Sequence, residues 1–335
     1  MVFNDLFDPV LGSLSARYES SQAASGHFSS FARGLAQSWL ERYELRGRSI
    51  LEVGCGGGDF LRLLAKEGAG RLIGIDPCCA STNDDSITWI SDRFDEQYLD
   101  LDADALVCRH TLEHIQDVSG FLQLLRKWAL RNPARVFLFE LPASERVFAE
   151  RAFWDVYYEH CNYFTADTVR HAFERNGFDV LRVEHAYGGQ YLIVEAVVAT
   201  LPVAALTKDP AQTTSECLRY AADVAGSIER FRNRLHALAQ DDAPLVLWQG
   251  ASKTVGLLTA IGNPDWIACA IDLSPQRHEK FLPGSGLPVH APQRLVDIAP
   301  KHIVLMNPVY LEEVRAQVRD LGVAAQVYAV NELLA

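Results

Sequence analysis

The chain has 335 residues, enough for two domains that each bury a core of their own. Its 49% hydrophobic content and mean hydropathy of -0.01 are those of an ordinary soluble globular protein. With 31 basic against 43 acidic residues and a formal charge of -12, the average surface argues against a nucleic-acid partner, whose binding draws on Lys and Arg contacts to phosphate. No apolar run reaches the length of a membrane span, and no basic stretch followed by an apolar segment opens the chain. The reading is therefore cytoplasmic, without a membrane partner. The seven cysteines (55, 78, 79, 108, 161, 217 and 269) form no C-x-x-C pair, so reduced thiols and no structural zinc are expected.

Residues 1–47 read as a helical segment, with Phe28, Phe31, Leu35, Trp39 and Leu40 recurring at helical spacing. Within it, Tyr18-Glu19-Ser20-Ser21 is less periodic and is a candidate lid. The organising stretch follows: Ser49-Ile50-Leu51-Glu52-Val53, the turn Gly54-Cys55-Gly56-Gly57-Gly58, and a helix from Asp59 through Ala65. The apolar run is short and quickly broken by glycine, which makes it a strand. A second strand, Arg71–Ile75, ends in Asp76, an acid placed to hold the two hydroxyls of a ribose. The dinucleotide fingerprint is G-x-G-x-x-G. Here Glu52, Gly54, Gly56 and Gly58 give E-x-G-x-G-x-G, which resembles the first motif of class I S-adenosyl-L-methionine (AdoMet) methyltransferases. A purely structural strand–turn–helix and a dinucleotide site are the alternatives.

A third strand, Ser86–Ile90, runs into Asp92 and Arg93, candidates for the adenine edge; a solvated turn is the plain alternative. The fourth strand, Asp104–Cys108, leads to Arg109-His110-Thr111-Leu112-Glu113-His114, where methyl donor and acceptor should meet at the carboxyl ends of a parallel sheet. His110 and His114, four apart, would share a helical face. That spacing also suits zinc, but no third ligand is evident, so no metal is expected. A helix over 118–130 and a fifth strand over 135–141 follow, then the aromatic and polar loop Phe153–Thr165, dense in Tyr, Glu and His. Beyond a helix over 166–176, strands near 180–183 and 191–198 complete the sheet around Gly188-Gly189. Pro202–Thr214 is a proline-marked crossing, which sets the expected domains at 48–201 and 215–335. The second begins with an amphipathic helix over 217–238. It then repeats the strand–turn–helix–strand theme as Pro244–Trp248, Gln249–Thr254 and Ile267–Asp272.

These motifs together resemble the C-methyltransferases that modify deoxysugar nucleotides. The matching residues are the loop Tyr157-Tyr158-Glu159-His160-Cys161-Asn162-Tyr163-Phe164, Leu112-Glu113-His114-Ile115, Gly188-Gly189-Gln190 and Trp248-Gln249-Gly250-Ala251-Ser252-Lys253. The resemblance implies an α/β chain: a Rossmann-like class I methyltransferase domain, then a C-terminal Rossmann-like α/β domain that helps hold a nucleotide. Two departures stand out. The family's N-terminal cysteine-rich zinc domain has no counterpart, and Tyr158 sits where the family often has His, which leaves other natural-product acceptors open.

Carbon attacks a sulfonium methyl only after a proton beside a carbonyl has been removed, which calls for a base and an oxyanion donor. His160 is the expected base, Glu159 its orienting partner, and Tyr157 and His114 the donors. Glu52, Gly54, Gly56, Gly58, Asp76, Asp92, Arg93 and Arg109 are expected around AdoMet. Lys253, Arg277 and Lys280 are candidates for an anionic or nucleotide-linked small-molecule acceptor, with ordinary surface cations as the alternative. The rival readings are transfer to O, N or S, a non-catalytic nucleotide-binding module, and a nicotinamide enzyme.

Overall fold

The computed structural model describes residues 2–10, 25–79, 86–131, 135–200, 211–240 and 244–334. The lid candidate Tyr18–Ser21 and most of the expected boundary segment lie outside them. In chain order the elements are β1 (Val2–Phe3), α1 (Gly26–Arg42), β2 (Ile50–Val53), α2 (Asp59–Lys66), β3 (Leu72–Ile75), β4 (Ile87–Ile90), β5 (Ala105–Arg109) and α3 (Val118–Ala129). There follow β6 (Val136–Pro142), α4 (Ser144–Glu150), β7 (Asn162–Tyr163), α5 (Ala166–Arg175), β8 (Phe178–Ala186), β9 (Tyr191–Val198), α6 (Ala211–Ala239), β10 (Leu245–Trp248) and α7 (Ser252–Ile261). The chain closes with β11 (Ile267–Ile271), β12 (Lys280–Phe281), β13 (Pro288–His290), α8 (Leu295–Ile298), β14 (His302–Leu305), α9 (Leu311–Asp320) and β15 (Gln326–Ala329).

Two compact units result: residues 1–145 with 158–213, and residues 146–157 with 214–335. The N-terminal helix thus belongs to the first unit. The segment 146–157, which the sequence reading leaves in the first domain, belongs to the second. Its Phe153 and Trp154 pack on Phe231 and Leu257 there, and a Cβ at Gly256 would stand 2.8 Å from the Trp154 carbonyl oxygen.

The first unit is a seven-stranded sheet in the order β4-β3-β2-β5-β6-β9-β8, parallel except for β9, which runs antiparallel to both neighbours. Strands β2, β3 and β5 are apolar almost throughout because a parallel sheet is covered on both faces. The edge strand β8 instead mixes polar and apolar residues, with Leu181 53% exposed. Phe137, Phe139, Phe173 and Phe178 interlock edge to face in the core. The order turns at β2, with β3 and β4 on one side and β5 and β6 on the other. The crevice at the carboxyl ends of β2 and β5 is therefore the topological switch point, where open α/β sheets bind ligands.

The second unit carries a six-stranded sheet in the order β12-β13-β11-β10-β14-β15, parallel apart from β12. None of the described helices is long and apolar enough to cross a membrane.

Helix α1 is fastened to its sheet by one carboxylate. Glu195 on β9, 1% exposed, accepts hydrogen bonds from Trp39 Nε1 at 3.0 Å and from the Tyr43 hydroxyl at 2.7 Å, and pairs with Arg42. Replacing Glu195 by Ala strands three donors against a buried site. The expected loss is about 3 kcal/mol, the low end for a broken buried pair because Arg42 is partly hydrated. A thermal unfolding midpoint within about 1 °C of wild type, a change of roughly 0.3 kcal/mol, would show the contact to be inert.

Candidate active site

The turn after β2 lies on one side of the switch point. Gly54 (φ 76°) and Gly58 (φ 79°) adopt left-handed conformations, and an added Cβ would meet Thr111 Oγ1 at 2.0 Å and the Trp89 ring at 2.1 Å respectively. Glycine is required at both places for conformation and for space. An added Cβ at Gly57, by contrast, meets nothing within 4 Å, so open space faces the turn. Asp76 at the tip of β3 accepts from the Gly56 amide at 3.0 Å and the Cys78 amide at 2.6 Å, one on each carboxylate oxygen. Each oxygen keeps acceptor capacity for a ribose hydroxyl. Asp59 opens α2 and puts a carboxylate where a pyrophosphate would dock, which disfavours a dinucleotide. Asp92 accepts from the Tyr98 hydroxyl at 2.7 Å, which is the main reason its carboxyl lies below the usual range, while the Arg93 side chain is exposed.

Two expected cofactor contacts sit deeper than the sequence suggests. Glu52 is 2% exposed within β2, its Oε2 has no partner, and burial pushes its pKa up to about 8. Arg109 is committed to Glu140 at 2.6 Å and lies 4.0 Å over the Phe60 ring.

The segment after β5 departs from the expected helix. His110 takes a left-handed backbone (φ 48°), fixed by its amide to the Glu140 carbonyl at 2.8 Å and its Nε2 to Glu140 Oε1 at 3.1 Å. That kink ends the strand and leaves one 3₁₀ turn, Leu112–His114. His110 and His114 consequently do not share a face: His110 turns inward to Glu140 and Glu113, while His114 faces the 158–163 loop.

That loop is stitched to the turn by backbone contacts. Asn162 Nδ2 donates to the Ile115 carbonyl at 2.6 Å, and Cys161 Sγ lies 3.3 Å from the Glu113 carbonyl oxygen. From outside, β1 pairs with β7, and the Tyr158 hydroxyl accepts from the Asp8 amide at 2.9 Å. The outcome brings His160 to His114, with ring centroids 4.9 Å apart and edge to face. His114 Nδ1 lies 2.9 Å from the Glu159 carbonyl oxygen. A carbonyl only accepts, so Nδ1 carries the proton, and His114 Nε2 donates only when the ring is an imidazolium.

Glu159 itself is exposed, and among the described residues its carboxylate has no partner; only its carbonyl serves the site. The carboxylate beside the two imidazoles is that of Glu113, 2% exposed. Burial works against its charge, but His110 at 3.7 Å and the fields of His114 and His160 hold its carboxyl below the usual range. The sequence reading passed over Glu113 because only its place beside His114 was visible, not its burial among imidazoles.

The remaining candidates belong to the second unit. Tyr157 donates to Asp155 Oδ1 at 2.8 Å. Lys253 is half-buried and paired with that same carboxylate, which also holds Arg146. Arg277 pairs with Asp272 at 3.1 Å. Of the three expected acceptor cations, Lys280 on β12 is exposed and has no ion pair among the described residues.

A family model described as a methyltransferase domain matches residues 28–183, and one described as a C-methyltransferase C-terminal domain matches residues 203–328. No curated protein matches. Solved structures with partial likeness include an S-adenosylmethionine-dependent methyltransferase from Mesorhizobium loti (19% identity, TM-score 0.35, 48% of this chain and 97% of that one). Another is the magnesium protoporphyrin IX methyltransferase from Synechocystis PCC 6803 (17% identity, TM-score 0.39, 52% and 84%). At those scores neither carries an argument about activity or acceptor. The switch-point site and the first family model define a class I methyltransferase, with AdoMet as its cofactor. The second model adds that residues 203–328 are similar to the C-terminal domain of C-methyltransferases.

Two outcomes follow from this geometry. Asp76→Ala removes charge-assisted acceptors worth roughly 1.5–3 kcal/mol each, so AdoMet affinity measured by calorimetry should fall about tenfold or more. Glu52 keeps its proton in the folded chain up to about pH 8 but loses it near the ordinary glutamate value of 4.5 when unfolded. Its contribution to stability is therefore present below the lower value and lost as pH rises through the higher one. Glu52→Gln should flatten that decline, so the variant gains stability relative to wild type between pH 5 and 8, a window of about three units set by those values. Thermal unfolding of both proteins across the window checks it; parallel curves would mean that Glu52 is ionised in the fold.

Proposed function

We propose that this enzyme methylates a carbon atom beside a carbonyl in a small-molecule acceptor, a sugar nucleotide or another natural-product intermediate. The observation that carries the reading is the pair His114 and His160, edge to face at the switch point with the Glu113 carboxylate beside them. When bound, AdoMet supplies an activated methyl, so what the protein must add is alignment and a nucleophile. Oxygen and nitrogen acceptors need little beyond positioning, whereas carbon needs a base. A pair of imidazoles over a buried carboxylate is suited to that demand.

In this reading His160 removes the α-proton of the acceptor. His114, in its doubly protonated form, donates from Nε2 to the developing enolate oxygen. Glu113 replaces Glu159 as the carboxylate beside the imidazoles. Glu159 contributes its carbonyl, which fixes the His114 ring. The enolate carbon would attack the sulfonium methyl of bound AdoMet, with the neutral thioether as leaving group, and the proton stays on His160 until released to solvent. Lys280 remains a candidate for an anionic acceptor group, while Lys253 and Arg277 act through their carboxylate partners.

The test uses AdoMet carrying an isotopic methyl and a panel of ketone-bearing acceptors. Label is expected on carbon, and His160→Ala should cut turnover by about 10²–10⁴-fold with AdoMet affinity nearly unchanged. Label found on O, N or S would replace this reading with simple heteroatom transfer. Wild-type turnover in the variant would remove His160 from the chemistry.

A further inference from the structure

The H-x-x-x-H spacing in the sequence offers two histidines and no third ligand, but the fold assembles a different set. One side-chain atom each from Glu113, His114 and His160 lie within 4.8 Å of one another. Glu113 is 2% exposed and its Oε2 has no hydrogen-bond partner, a buried carboxylate oxygen that proton transfer by the imidazoles leaves unsatisfied. His114 is held through Nδ1 by the Glu159 carbonyl at 2.9 Å, which directs its Nε2 lone pair away from that contact. An imidazole whose second nitrogen is pinned by a backbone carbonyl is the arrangement typical of metal-ligating histidines. On the far side of Glu113, His110 Nδ1 stands 3.7 Å from Oε1 and steadies the carboxylate.

Two imidazoles and one carboxylate form a ligand set for a borderline divalent cation, and three protein ligands leave a further position open. Magnesium fits poorly, since it takes oxygen ligands in near-octahedral geometry. We propose that Glu113, His114 and His160 form a binding site for a zinc-class divalent cation, and that its occupation silences methyl transfer. Coordination replaces the protons that His114 and His160 otherwise exchange, and the His160 lone pair bonded to metal no longer takes a proton from the acceptor. Binding stands on the ligand geometry alone; the silencing rests on the reading of His160 given above. Tetrahedral bonds of about 2.1 Å place ligand atoms roughly 3.4 Å apart. The three groups must therefore draw in, with the partly exposed His160 moving toward the fixed Glu113 and the pinned His114.

Chelator-treated full-length protein, without acceptor, is titrated with Zn²⁺ by calorimetry and with Co²⁺ by visible absorption. One site is expected, with the intense Co²⁺ bands of low coordination number. Glu113→Gln and His160→Gln should each weaken it by at least about tenfold while the thermal unfolding transition is retained. Should Glu113→Gln fail to fold, His160→Gln on the outer loop carries the test. In turnover assays Zn²⁺ should inhibit the wild type and a chelator restore it. No single-site binding, or full affinity in the His160→Gln protein, would overturn the site. Binding without inhibition would overturn the silencing. A His160→Ala enzyme with full turnover, alongside intact Zn²⁺ binding in the wild type, would remove the base assignment and leave the metal site standing.

Discussion

A line of alternating charges buried at the carboxyl ends of β5 and β6 sets the geometry of the first unit's site. Arg109, Glu140, His110 and Glu113 follow one another as cation and carboxylate, with separations of 2.6, 3.1 and 3.7 Å. Burial alone would lower the His110 pKa, but Glu140 and Glu113 overcome it and raise it to about 9. Burial would likewise raise that of Glu140, but Arg109 and His110 hold it down to about 2. Buried charges persist only when each is paired, and removing one partner from such a set costs about 3–5 kcal/mol. The cluster holds His110 in a left-handed conformation that is uncommon for a residue other than glycine. From that kink the chain turns out of the sheet and sets Glu113 and His114 at the switch point.

The two units solve one structural problem in the same way and then diverge. In each, an acid at the tip of a strand accepts an amide hydrogen bond from the neighbouring strand's turn: Gly56 to Asp76 at 3.0 Å, and Gly250 to Asp272 at 2.8 Å. In the first unit the turn is glycine-rich and Asp76 is half-exposed, with acceptor capacity left for a ligand. In the second, Gln249 takes φ 105° without the freedom of glycine, and Asp272 is 5% exposed and engaged by Arg277 and the Ser274 amide. The repeated strand–turn–helix is thus a folding solution in both units, and the supply of glycine and the pairing of the acid separate a binding turn from a closed one.

Chain-distant contacts also decide which of the sequence candidates remain available for chemistry. Asp155 gathers Arg146, Lys253 and Tyr157 into one set, so two groups that look chemically promising in the sequence, Lys253 and Tyr157, serve to hold the second unit together. In the first unit the residues 2–10, unremarkable in composition, add a short strand beside Asn162–Tyr163 and hold the loop that carries His160. A polar residue becomes a reagent only when its neighbours leave its reactive atom unengaged, and pairing of that kind is a property of the fold.

The sequence alone determined β2 to β6 and β8 to β11, the glycine turn, the place of Asp76 at a strand tip and the class of cofactor. Each depends on local rules: short apolar runs, positive φ at glycine, and the fixed distance from a turn to the tip of the next strand. Helix–strand order was equally legible because hydrophobic period distinguishes the elements over a few residues. What only the tertiary structure decided was the company each polar group keeps. Glu113 rather than Glu159 faces the imidazoles, His110 turns inward, and residues 146–157 join the second unit. These outcomes come from pairing buried charges and packing aromatic rings between segments far apart in the chain, and no local pattern encodes them.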